Sequence, residues 1–163
     1  MRIALTFFIV AFTALASAQD TPITVSADGA PVLALRVPRG AKVTTTGNHT
    51  AIKATNLTLH IWTVANAKTP DDAIPGVAGL ITSEFTNFKA TSTNIITIAG
   101  APARHLLGPG TEADDGDPGN AEVVLFAIGG RVFAGCVHGE FDEAARARTA
   151  MMAVLKTAQT PPK

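Results

Sequence analysis

The sequence predicts an α+β domain in which two principal helices pack on a mainly antiparallel β-sheet. Short runs rich in Val, Ile, Leu and Thr recur between turn residues, as is typical of strands. Two other segments space their apolar residues by three and four, which predicts helices. Gly129-Gly130 separates two apolar runs and predicts a tight β-hairpin, so neighbouring strands should be antiparallel. A length of 163 residues suits one ordinary domain.

The first 18 residues predict an export signal that precedes the fold. Arg2 supplies a positive start, residues 3–15 are almost entirely apolar, and residues 16–18 form a small-x-small cleavage pattern. The apolar run is shorter than the roughly 20 residues that a membrane span requires. We therefore expect cleavage near Ala18/Gln19 and a secreted or periplasmic protein with no membrane span.

The first part of the mature chain should contribute strands. Residues 19–31 are polar and contain several turn residues, which predicts a flexible segment with at most a short strand at 23–25. A single globular domain is expected over residues 32–160, with strands at 32–37, 41–46, 51–54 and 57–64. Strict alternation in the last of these places Thr58, His60 and Trp62 on one face.

The remaining chain predicts a helix, more strands and a final helix. Thr69 followed by Pro70 and two aspartates has the pattern of a helix start, and an apolar stripe extends this helix across residues 76–89. Strands follow at 95–98, 103–107, 122–128 and 131–138, with Phe126 opposite Phe133 if the Gly-Gly turn sets the register. Residues 109–121 predict a long acidic loop, and Asp142 can begin a helix that ends near residue 158.

Several short motifs resemble the Mog1/PsbP-like fold over most of the mature chain. They are Val-Pro-Arg-Gly at 37–40, Glu-Phe-Thr-Asn-Phe-Lys at 84–89, the strand turn at 98–103, the Gly-Gly hairpin and the helix containing Leu-Lys-Thr at 155–157. The resemblance implies an α/β/α sandwich. Because members of this fold are mostly binding or assembly proteins, including bacterial envelope proteins, it also implies a non-catalytic role and transfers no catalytic residues.

The charge balance and cysteine count exclude several classes of protein. Thirteen basic and thirteen acidic residues give no electrostatic footprint for nucleic acid or for an acidic membrane surface. The single cysteine excludes a disulfide scaffold. We expect a monomer whose unknown partner is a protein or a small molecule, without a cofactor.

Cys136, His138 and Glu140 alternate along the last predicted strand, so all three project from one face if the strand continues. Thiolate, imidazole and carboxylate groups are ligands for Zn²⁺ or copper, and His60 or His105 could add a fourth. The same triplet defines an alternative function, a metal- or thiol-dependent enzyme. The simpler interpretation treats Cys136 as a small buried hydrophobe, and it favours a protein that is not an enzyme.

The acidic loop is the second candidate site. Its carboxylates suit Ca²⁺, although their spacing is not that of the helix–loop–helix calcium motif, and a solvated loop is the favoured interpretation. With two basic residues after the Pro102 turn, the loop forms the predicted partner-binding surface: Glu112, Asp114, Asp115, Asp117, Arg104 and His105. The sequence thus favours an exported, non-catalytic binding or accessory protein of the cell envelope.

Overall fold

The computed structural model describes residues 20–162, so the predicted signal peptide at 1–18 lies outside the described residues. Within residues 20–162, ten strands and three helices follow in order, with a 3₁₀ turn at Ile74–Gly76 between the first two helices. The elements are β1 (Thr21–Ala27), β2 (Ala30–Val37), β3 (Lys42–Thr46), β4 (His49–Ala54), β5 (Leu57–Val64), α1 (Pro70–Ala73), α2 (Val77–Leu80), β6 (Phe85–Thr86), β7 (Ser92–Ile98), β8 (Ala101–Glu112), β9 (Pro118–Ile128), β10 (Arg131–Gly139) and α3 (Phe141–Leu155).

One large antiparallel sheet organises the molecule. Its strands lie in the order β3-β4-β5-β10-β9-β8-β6, β7 pairs with β8, and β1 and β2 form a separate hairpin. The α+β class with an antiparallel sheet is therefore confirmed. The Gly129-Gly130 turn joins β9 to β10 and sets Phe126 opposite Phe133, as the hairpin signal predicted.

The sheet is covered on both faces, and each face has its own core. On one face α3 and the β1–β2 hairpin pack on residues such as Ile61 and Phe133. On the other face the chain from α1 to β6 contributes Val77, Ile81 and Phe85, which pack around Trp62. The two covered faces explain why β9 and β10 are apolar on both sides.

The flexible segment predicted at residues 19–31 was wrong from residue 21 onward. Residues 21–27 form β1, and Val25 and Ala27 are buried in the core beneath α3. The polar composition misled because one side of β1 faces solvent, and burial is confined to the C-terminal half of the strand.

The continuous helix predicted at residues 76–89 was also wrong. Helical structure ends at Leu80, and Phe85 reaches the core from the short strand β6. Pro75, Gly76 and Gly79 favour a break in a helix this short. The predicted helix start is correct: Thr69 caps α1 and exchanges hydrogen bonds with Asp72 in a capping box.

Two glycines in β8 allow the chain after α2 to lie directly on the sheet. A Cβ at Gly108 would overlap the backbone carbonyl of Lys89, and one at Gly110 would overlap the ring of Phe85. Only glycine permits so close an approach. This crossing brings the turn that contains Glu84 down to the sheet.

The acidic loop is shorter than residues 109–121. Strand β8 continues to Glu112 and β9 starts at Pro118, which leaves a turn at residues 113–117. Among the helices of residues 20–162, none is long and apolar enough to cross a membrane.

Candidate metal centre

A row of aromatic rings lies on the sheet face beneath the α1–β6 chain. Pairing between β4 and β5 sets His49 opposite Trp62, and their rings stack with centroids 4.5 Å apart. His60 follows on the same face of β5, 5.2 Å from His49 and 5.7 Å from Trp62. The alternation in β5 therefore places His60 and Trp62 together as predicted, and the strand pairing adds His49.

Three potential ligand atoms converge at this row. His49 Nε2 lies 3.0 Å from His60 Nδ1, and Glu84 Oε2 lies 3.7 Å from the same nitrogen. All three ligand atoms lie within 4.8 Å of one another, and residues 20–162 contain no other such group of three. A tetrahedral Zn²⁺ with bonds of about 2.0–2.1 Å separates its ligand atoms by about 3.3 Å. The two observed separations bracket that value.

Both histidines favour the neutral form that a metal requires. Burial lowers the pKa of His60 to about 3, and the neighbouring His138, His49 and Lys53 add to the effect. Burial also lowers the pKa of His49, against the opposing carboxylate of Glu84. Each imidazole is thus neutral at neutral pH and carries a lone pair.

His138 and Glu112 form a second pair beside this cluster. His138 Nδ1 lies 2.7 Å from Glu112 Oε2, and the His138 ring is centred 5.2 Å from that of His60. His138 Nε2 and Glu112 Oε1 are both buried, and within the described chain neither has a hydrogen-bond partner. Burial raises the pKa of Glu112, although His138 opposes the shift.

The predicted triplet of Cys136, His138 and Glu140 is not one of the clusters found in residues 20–162. Strand β10 ends at Gly139, and Glu140 lies exposed at the start of α3. Cys136 is fully buried, and burial raises the pKa of its thiol. A protonated, enclosed thiol is a poor nucleophile and a poor metal ligand, which disfavours the thiol-dependent enzyme.

The predicted partner-binding residues are divided between different surroundings. Arg104 forms a two-pronged ion pair with Asp71. His105 turns to the α3 face, where its Nε2 lies 2.8 Å from Glu122 Oε2, so it cannot join His138 in a metal site. Glu112 is engaged by His138.

The three aspartates of the acidic turn are exposed. They are Asp114, Asp115 and Asp117, and the backbone N–H of Asp117 donates to Asp115 Oδ1 over 2.9 Å. Their role as a partner-binding surface and a Ca²⁺ site at residues 112–117 both stay predictions.

Sequence reasoning missed His49 and Glu84 as members of a site. The short turn at Thr55-Asn56 contains the signal for His49, because a tight turn sets the β4–β5 register and so places His49 opposite Trp62. Glu84 was hidden by the predicted helix. The position of Glu84 depends on the close approach of the chain after α2 to Gly108 and Gly110. No local sequence pattern predicts that approach.

Comparison with protein-family models finds no match, and comparison with curated proteins finds none. A solved structure from Bacteroides thetaiotaomicron VPI-5482 is 12% identical and superposes with a TM-score of 0.59 over 89% of this chain. The match spans 50% of that protein, so this chain corresponds to half of its length, and the likeness shows the fold alone.

A second structure, LpqN of Mycobacterium tuberculosis, is described as involved in cell envelope biogenesis. It is 17% identical, and the match covers 88% of this chain and 91% of LpqN with a TM-score of 0.47. A superposition that weak supports no argument about this chain.

Proposed function

We propose that this chain is an exported, non-catalytic binding protein of the cell envelope that holds one divalent transition-metal ion between His49, His60 and Glu84. The convergence of these three ligand atoms from β4, β5 and the turn before β6 is the observation that carries the proposal. Two imidazoles and a carboxylate suit Zn²⁺ and its first-row neighbours.

Hydrogen bonds do not account for all three ligand atoms of the cluster. His60 Nδ1 faces both His49 Nε2 at 3.0 Å and Glu84 Oε2 at 3.7 Å, and the longer distance is beyond a hydrogen bond. A cation among the three atoms would satisfy all of them at once. Charge points the same way, because the Glu84 side chain contributes a carboxylate beside two imidazoles whose pKa values are lowered by burial.

Burial across the cluster suits capture of an ion from solvent. His60 is 3% exposed, whereas His49 and Glu84 are half-buried and reach the surface. An ion can therefore meet the two outer ligands first and complete its contacts at the inner one. The stacked Trp62 ring fixes the orientation of His49, which lowers the entropy lost on binding.

Export and a binding role rest on sequence features. Residues 1–18 have the pattern of a secretory signal. The resemblance to the Mog1/PsbP-like fold supports a binding or accessory role, because that group consists mostly of binding and assembly proteins. The exposed aspartates of the 113–117 turn are the proposed contact with a protein partner.

Calorimetric titration of the purified chain with Zn²⁺ tests the metal site. We expect one ion per chain, and we expect His49→Ala and Glu84→Gln each to weaken binding by more than about 100-fold, since even outer-shell changes cost about 10–100-fold. His105→Gln and Glu143→Gln are matched controls outside the cluster and should bind as the wild type does. Absent binding in the wild type, or an equal loss in the His105 variant, would refute the proposal.

A further inference from the structure

His138 and Glu112 form the most prominent polar pair near the proposed ion that is not among its three ligands. We propose that the fourth coordination position of this ion faces His138 and holds an exchangeable, hydrogen-donating ligand, water in the free protein, which donates to His138 Nε2. Glu112 is the positioning residue for His138. This inference rests on the proposed function, since it concerns the same ion.

The contact between the two side chains defines which nitrogen is available. A carboxylate oxygen accepts hydrogen bonds, so Glu112 Oε2 at 2.7 Å draws the ring hydrogen of His138 to Nδ1. Nε2 then carries the lone pair. A carboxylate on the distant nitrogen is the usual support for a histidine that works at or beside a metal.

Distance argues for a bridging ligand in place of direct coordination. His138 lies beside His60, with ring centres 5.2 Å apart, but it does not belong to the group of ligand atoms within 4.8 Å of one another. A metal–oxygen bond of about 2.1 Å followed by a hydrogen bond of about 2.8 Å reaches about 5 Å. That reach is comparable with the 5.2 Å that separates the ring centres of His60 and His138.

The burial of His138 Nε2 also calls for such a ligand. Within residues 20–162 this nitrogen is buried and has no hydrogen-bond partner, a state that costs free energy unless something donates to it. Three protein ligands and one solvent ligand form an open site, whereas structural zinc sites are closed by four protein ligands. An open position permits ligand exchange, as transfer of the ion to or from a partner requires.

The His138 side chain also reaches the protein surface, although its Nε2 is buried. His138 lines a cavity of about 610 Å³ between the β4–β5 turn and the first half of α3, together with Thr58 and Arg146. A small neutral donor with a hydrogen to give, such as water or a partner's hydroxyl or thiol, fits the acceptor character of Nε2. An anion without hydrogen does not.

X-ray absorption of the Co²⁺-loaded protein tests the inference, because it counts the imidazoles bound to the metal. We expect two imidazoles in the wild type, and still two in His138→Phe, with the affinity for Co²⁺ lowered by about 10–100-fold. Glu112→Gln should lower the affinity less, because its amide oxygen can still accept from Nδ1. Cys136→Ala, a buried neighbour on the same face, should change neither the count nor the affinity.

The outcomes separate the two proposals. Three imidazoles in the wild type, or unchanged Co²⁺ affinity in His138→Phe, would overturn the open position and leave the metal site standing. Absence of Co²⁺ binding in the wild type would refute the proposed function itself. The wild-type count decides the question even if the His138 variant fails to fold.

Discussion

The two faces of the sheet each bury a carboxylate beside a histidine, with opposite results. On the α3 face Glu122 is 1% exposed and receives two hydrogen bonds of 2.6 Å from Arg148 and one of 2.8 Å from His105. On the opposite face His138 and Glu112 hold each other and leave two buried atoms without partners among the described residues. Both carboxylate oxygens of Glu122 therefore have partners, whereas the pair of His138 and Glu112 does not satisfy all of its polar atoms.

The pKa shifts express the same difference. Burial alone would raise the pKa of Glu122, but the hydrogen bonds from His105 and Arg148 outweigh it, so the pKa of this carboxyl is lowered. For Glu112 burial prevails and the pKa is raised. A cationic arginine stabilises the buried carboxylate of Glu122, whereas Glu112 has only His138 as its hydrogen-bond partner among the described residues.

Gly108→Ala should have the largest effect, because it disrupts the packing that holds Glu84 on the same sheet face as His49 and His60. The added methyl group would overlap the Lys89 carbonyl and push the crossing chain, with Glu84, off the sheet. We expect a loss of about 3 kcal/mol in the free energy of unfolding, at the upper end for overpacking, and weaker Zn²⁺ binding. Chemical denaturation and calorimetry measure both.

Gly79→Ala in α2 is the matched control, since a methyl group there meets nothing within 4 Å. Helix propensity predicts a gain of up to about 1 kcal/mol with Zn²⁺ binding unchanged. Similar losses in both variants would show that the close approach over Gly108 does not matter.

Zinc itself should stabilise the protein through one face only. At a free Zn²⁺ concentration 100 times the dissociation constant, binding should add about 2.7 kcal/mol to the free energy of unfolding. Thermal unfolding should show the gain in the wild type and lose it in His49→Ala. If His49→Ala gains as much as the wild type, the ion lies elsewhere.

Arg148→Met should break the completed cluster on the α3 face. It leaves Glu122 buried with only His105 as a partner, and we expect a loss of about 2 kcal/mol, reduced because Arg148 is half exposed and screened by solvent. Zn²⁺ should stabilise this variant as much as the wild type, since the faces are separate. The double variant with Glu122→Gln should recover part of the loss, and a result without recovery would contradict the assigned ion pair.

The pH dependence of stability should show the smallest effect. The pKa of Glu122 is lower in the folded chain than in the unfolded chain, so its contribution is present above the unfolded pKa and is lost as the pH falls through the folded pKa. Glu122→Gln should therefore reduce the stability lost as the pH falls below about 4, near the unfolded value for glutamate. Denaturant midpoints at several pH values measure it, and an unchanged slope would contradict the assigned role.

Local patterns predicted the sheet better than the site. Alternation in β5 and the Gly129-Gly130 turn were sufficient for His60, Trp62 and the central hairpin, because these depend on neighbours in sequence. The metal cluster depends on Glu84, which arrives through a long-range crossing over β8. The four-residue spacing of Val77, Ile81 and Phe85 suits a helix, and it is equally met by a helical turn followed by a strand that packs on the same core.

Anomalous X-ray scattering from a crystal soaked in Zn²⁺ locates the bound ion. We expect one strong peak at about 2.0–2.2 Å from His49 Nε2, His60 Nδ1 and a Glu84 oxygen. A peak only at the aspartates of the 113–117 turn, or no peak within reach of His60, would contradict it.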